Sequence, residues 1–177
     1  MAFTFADLGG LDGVARWLEV AAKYRSTLGV VMNTSYRRTM FVNDRLLERL
    51  AALEGFHRIR SGMEAPVLQT RLPDLTDLAG APFEQLVGNV AAWRRRASAE
   101  RNNIAHHKGR LVHQSSSDMY FTAEAAYWLF VLCMLREAQA PQPAFDHIVR
   151  CARFTWAMRK LRPNVNPATP APSPDTP

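Results

Sequence analysis

"PFEQLVGNVAAWRRRASAERNNIAHHKG", Pro82 to Gly109, is the stretch on which the fold turns. Phe83, Leu86, Val87, Val90 and Ala97 recur at three- and four-residue steps, the period of one helical face. Pro82 suits a first helical turn, where its missing N–H would have no partner anyway. Gly109 suits the position just past a helix end. Continued at the same spacing, the inner stripe lands on Arg101 and Ile104. An inward arginine is costly unless paired, so Arg101 is expected to meet an acid or to line a wet cleft.

The helical period extends outward in both directions. Leu11, Val14, Ala15, Leu18, Ala21, Ala22 and Leu28 mark a first helix, and Trp17, Val20 and Tyr24 widen its stripe. A second helix is expected from Asn43, a good cap residue, with Leu46, Leu50 and Leu53 facing inward and His57 next on that stripe. Val67 to Ala79 form a weaker third segment, which Pro73 is expected to break or kink. Downstream of the quoted stretch, "HQSSSD" is a polar loop. A fifth helix carries Phe121, Ala125, Trp128, Leu129, Leu132 and Leu135. A sixth carries Phe145, Ile148, Val149, Ala152 and Trp156, with Pro163 as its stop. No alternation of period two is found. The expectation is an all-α bundle of five to six helices over residues 5–162, followed by a disordered proline-rich tail over 163–177.

The 177 residues suffice for one domain with a sizeable core. No run of eighteen apolar residues and no basic-then-apolar leader is visible, so neither a membrane partner nor export is expected. Cys133 and Cys151 read as free core thiols of a reduced, cytoplasmic compartment. The formal charge of +6 is compatible with a polyanionic partner, and most of it lies between Trp93 and His113. There, Arg94, Arg95, Arg96, Arg101, Lys108 and Arg110 face a single acid, Glu100. Taken alone, Arg94 to Arg96 read as a solvated face.

Within "RNNIAHH", Asn102 and His106 are four apart and share a helical face. Arg101 and His106 are five apart, roughly 140° around an unbroken helix. They converge only if the helix ends or loosens between them, or if a second copy of the chain supplies the partner. On the second helix, Glu54 and His57 lie three apart; Glu54 is an available structural partner for Arg101, and His57 taken alone reads as a satisfied core histidine. His106, His107 and His113 lack an acid or cysteine at ligand spacing, so no metal is expected. No glycine-rich phosphate loop or nucleophile elbow implies a cofactor or a serine hydrolase.

"RNNIAH", Arg101 to His106, resembles the signature of the HEPN superfamily: an arginine, a polar residue directly after it, and a histidine four to six residues on. Two further stretches carry the likeness. "FVNDRLLERLAALEGFHRIR", Phe41 to Arg60, is similar to the helix of ApeA-type HEPN proteins that ends in an apolar-Leu-Glu-x-x-His-Arg run. The Trp17 helix and "AAYWLFVLCMLREAQAP", Ala125 to Pro141, stand in the matching order. Over roughly Phe5 to Arg162 the chain thus resembles the C-terminal HEPN domain of ApeA-like anti-phage proteins.

The resemblance implies a metal-independent endoribonuclease with no cofactor, acting in anti-phage defence as an abortive-infection toxin. It implies a homodimer whose two motifs face each other across the interface. From the resemblance alone, transfer RNA is the substrate expected of such a toxin. Arg101, Asn102 and His106 are the implied catalytic set, with His107, Glu54 and His57 as possible catalytic or supporting residues. Both His106 and His107 satisfy the spacing, and His106 is preferred because Asn102 can orient it. Residue chemistry agrees: histidine can take or give a proton near neutral pH, and the arginine fork matches a phosphate. Arg94, Arg95, Lys108 and Arg110 are the expected RNA-backbone contacts. The alternative is a catalytically silent HEPN-like domain that binds RNA, nucleotide or a partner protein.

Overall fold

The computed structural model describes residues 4–63, 67–106 and 116–165. All regular structure among them is helical, as the periodicity predicts. Three of the expected helices are each divided in two, and the divisions fall where the backbone leaves helical geometry.

The first helix becomes α1 (Gly10–Lys23) and α2 (Arg25–Tyr36), hinged at Tyr24 with φ −103° and ψ 22°. The hinge also changes which stripe is buried. Gly13 and Tyr24 are buried, and Val14, Trp17, Val20 and Ala21 are half-buried beside them. Leu11 and Leu18 are 79% and 62% exposed instead. Both stripes have helical spacing, and the one with the larger aromatic area takes the core, since the stabilisation grows with the apolar area removed from water.

The second helix, α3 (Val42–Ser61), starts one residue before the expected cap and ends at Gly62. Its Gly55 is required by close approach: a Cβ there would lie 2.7 Å from the Thr27 methyl of α2. The third segment, α4 (Leu68–Ala79), runs unbroken through Pro73. A proline at that position costs one backbone hydrogen bond, to the Gln69 carbonyl, and burial of Leu68, Leu72, Leu75 and Ala79 outweighs it.

The stretch from Pro82 is two helices, α5 (Ala81–Val87) and α6 (Val90–Ala105). Gly88 adopts φ 74°, a left-handed turn that a side chain resists. Asn89 then caps α6, its side-chain oxygen accepting from the Ala92 N–H at 2.9 Å. The Phe83 and Trp93 rings close the α5–α6 corner edge to face at 4.9 Å. α6 ends at Ala105, four residues before Gly109, which lies outside the described residues.

α7 (Ser116–Glu137) starts inside the expected polar loop and forms the centre of the bundle, against α1, α3, α4, α5 and α6. By length and composition it could cross a bilayer, although it holds no unbroken run of eighteen apolar residues, but 78% of its most apolar window is buried inside the protein. Phe121, Trp128, Leu129, Leu132 and Leu135 are all buried there. Each such side chain stabilises the fold by about 1.5–3 kcal/mol. The sixth helix is divided at Cys151, which is extended at ψ 147°, into α8 (Gln142–Arg150) and α9 (Ala152–Val165). The α9 backbone passes Pro163 and ends at Val165, so Pro163 is not its stop, and residues 166–177 of the expected tail lie outside the described residues. Trp156, expected inward, is 44% exposed.

Polar groups tie the layers together. Arg49 of α3 and Glu124 of α7 are both about fully buried and meet at 2.7 Å. Arg153 of α9 reaches the other Glu124 oxygen at 3.0 Å, and Thr34 of α2 accepts from the Arg49 Nε at 2.9 Å. Among the described residues the deeply inward arginines are Arg49 and Arg71, not Arg101.

Candidate active-site cavity

The α6 face toward α4 repeats every three to four residues: Ala91, Arg94 and Arg95, Ser98, Arg101 and Asn102. The helix then stops, and His106 takes non-helical φ −103° and ψ 12°, its N–H shared between the Asn102 and Ile104 carbonyls. Arg101, Asn102 and His106 line one recessed cavity of about 430 Å³, together with Glu54, Val67, Leu68, Gln69 and Ser98. Arginine and histidine thus line one cavity within a single chain.

Arg101 is half-exposed, not buried, and its Nη2 lies 3.5 Å from the Glu54 carboxylate of α3. The expected pairing with Glu54 is present. Glu100, one residue earlier, is the fully buried member of this turn and points the other way. It accepts from the Arg96 Nε at 2.9 Å and lies near Thr122 of α7. Burial raises its carboxyl above the ordinary range, with Arg96 opposing. Asn102 and His106 are both exposed, and no hydrogen bond joins their side chains among the described residues. The orienting contact expected between them is absent; the Asn102 carbonyl holds the His106 backbone instead.

His57 does not belong to this cavity. It is buried, with Nε2 at 3.0 Å from Asp74 of α4, and Nδ1 at 3.0 Å from an Arg71 nitrogen. Arginine can only donate, so Nδ1 accepts and the ring proton sits on Nε2, facing Asp74. His57 is the satisfied core histidine that its stripe position suggests.

Arg94 and Arg95 line an adjoining cleft of about 210 Å³ with Ala91, Pro73 and Gln69. Gln69 borders both spaces, which lie side by side between α4 and α6. Three basic side chains from a single helix stripe face them. Ser98, Gln69, Val67 and Leu68 are wall residues that sequence reasoning does not single out. Ser98 was legible in principle, lying three residues before Arg101 on its face. The α4 residues were not, because their place depends on how two helices pack. His107, Lys108 and Arg110 lie outside the described residues.

Among the described residues, no three histidine, cysteine or acidic side chains are grouped so as to hold a metal ion. Compared with family models, with curated proteins and with solved structures, the chain matches none.

Proposed function

We propose that this chain is a metal-independent endoribonuclease of the HEPN type, a toxin acting on RNA in anti-phage defence. One observation carries the reading: Arg101, Asn102 and His106, the residues of the sequence signature, line the same cavity. An imidazole and a guanidinium are the groups this reaction needs. The imidazole takes the proton of a ribose 2′-hydroxyl, and the 2′-oxygen attacks the adjacent phosphorus. The P–O5′ bond breaks, and the leaving 5′-oxygen takes a proton from an acid. The products are a 2′,3′-cyclic phosphate and a 5′-hydroxyl. Arg101 neutralises charge on the phosphoryl oxygens as it grows.

The acid is assigned to the histidine of a second copy, with the cavities of a homodimer facing each other. This assignment rests on the resemblance, since within one chain Arg101 and His106 already border one cavity. Transfer RNA is the proposed substrate on the same ground. The purified protein is expected to cut RNA in EDTA and to leave 2′,3′-cyclic phosphate ends, read by end-specific sequencing. Cleavage that appears only on adding a divalent metal sinks the mechanism.

A silent RNA-binding module is the second reading, favoured by the engagement of Arg101 with Glu54. The same ion pair gives a further prediction. A carboxylate about 4 Å from a bound phosphate repels it by about 1 kcal/mol even in a water-like medium. Glu54→Gln is therefore expected to bind RNA about fivefold more tightly in filter-binding titrations. It should lose less than about 1 kcal/mol of stability, because the pair is only half-buried and screened by solvent. Weaker binding by Glu54→Gln shows instead that Glu54 holds Arg101 in its binding position.

A further inference from the structure

Ser98 lies at the middle of the cavity-facing stripe of α6 and is 9% exposed. Its hydroxyl is buried and has no hydrogen-bond partner among the described residues. Helical hydroxyls in this protein usually solve that problem locally. Thr27, Thr34, Ser61, Thr76 and Thr122 each donate to a backbone carbonyl three or four residues back. Ser98 makes no such bond and lines the cavity. A buried hydroxyl left unpaired costs free energy, and a ligand, an ion or a water is among the groups that can complete it.

The surroundings state what that ligand is. Arg101 stands one turn further along the stripe, and Arg94 and Arg95 one turn earlier, beyond Gln69. From Arg94 to Arg101 the helix rises about 10 Å, long enough for more than one phosphate of an extended strand. The lining is apolar at Val67, Leu68 and Pro73, where the open base faces of a single strand can pack.

We propose that the α4–α6 groove seats single-stranded RNA, with the Ser98 hydroxyl turning from its buried rotamer to donate a hydrogen bond to one phosphodiester in the cavity and the neighbouring backbone held by Arg94 and Arg95. Ser98 is a substrate-positioning residue. The inference shares the RNA substrate of the proposed function but not its chemistry, so the two fail separately.

The test uses a labelled, mixed-sequence oligoribonucleotide that is fully 2′-O-methylated and therefore cannot be cut by 2′-hydroxyl attack. Fluorescence anisotropy measures its binding to the full chain, with the matching duplex as contrast. Ser98→Ala is expected to weaken single-strand binding about tenfold, the loss of one hydrogen bond to a charged oxygen. Ser98→Thr keeps the hydroxyl and is expected to restore most of that affinity. Arg94→Ala with Arg95→Ala should lower the salt slope by about 0.7 for each phosphate that is no longer neutralised. The decisive control is melting temperature. Because the hydroxyl satisfies nothing within the protein, Ser98→Ala should melt no lower than wild type, whereas a structural serine would show a loss. Unchanged affinity in Ser98→Ala, a lowered melting temperature, preference for the duplex, or no binding by wild type each overturns the proposal. Serine-dependent binding without cleavage of ordinary RNA would remove the enzyme and leave the binding site. Cleavage with serine-independent binding would do the reverse.

Discussion

Replacing His106 or Arg101 by alanine is expected to abolish RNA cleavage while leaving the helical circular dichroism spectrum unchanged. The two losses have different physical origins. Without the imidazole the 2′-hydroxyl has no positioned base, and such proton transfer is worth about 10² to 10⁴ in rate. Without the guanidinium the growing phosphoryl charge meets no fixed cation, a loss of about 10² to 10³. Neither change should disturb the fold. His106 is exposed beyond the last turn of α6, and Arg101 contributes only a half-buried pair with Glu54, worth under about 1 kcal/mol. Cleavage is read on labelled RNA in EDTA, with thermal melts on the same samples. If both variants keep more than about a tenth of the wild-type rate, the cavity is not where the chemistry occurs. If His107→Ala alone is inactive, the histidine assignment moves by one residue.

The largest expected effect on stability comes from the buried ion pair between α3 and α7. Glu124→Gln should cost about 3–5 kcal/mol, because it strands the Arg49 charge in the interior. Arg49 is bound on one side by Thr34 and the Ala123 carbonyl, and on the other by Glu124 at 2.7 Å. The hydrogen bonds to Thr34 and the carbonyl survive the substitution, but no carboxylate does. Burial by itself raises the Glu124 carboxyl, yet Arg49 and Arg153 outweigh it and hold it below its usual 4.5. A depressed carboxyl stabilises the fold above the unfolded value, and that stabilisation is lost as pH falls toward the folded value. The stability gap between wild type and Glu124→Gln should therefore be full at neutral pH and narrow below about 4.5. Glu100, raised by burial, contributes with the opposite sign, which is why the wild-type curve alone does not isolate Glu124. Denaturant unfolding at several pH values measures the gap, and a neutral-pH cost below about 1 kcal/mol means that Arg49 finds other partners.

Particular residues show how far the sequence could be read. The stripe Leu46, Leu50, Leu53 and His57 placed α3 and its buried histidine, because every step of that pattern is local. The stripe Leu11, Ala15, Leu18 and Ala22 has equally good spacing and faces solvent. Spacing identifies a helical face but does not say which neighbour covers it. The divisions at Tyr24, Gly88 and Cys151 escaped for a related reason: an apolar period survives a short break when both halves pack on the same core. Pro73 does not break α4, since a single lost hydrogen bond is small beside the burial that holds that helix in place, and Pro163 does not end α9.

The sequence by itself determined an all-helical chain, and it singled out Arg101, Asn102, His106 and Glu54, because helical period and short spacings are properties of neighbouring residues. Only the tertiary structure decided that α6 stops at Ala105 and that His106 lines the same cavity as Arg101. It also decided that Gln69 and Leu68 of α4 close the cavity over Ser98, and that His57 is engaged by Asp74 and Arg71 in the core. Those outcomes depend on which faces of distant helices meet, and that is settled by the competition among all the buried surfaces at once.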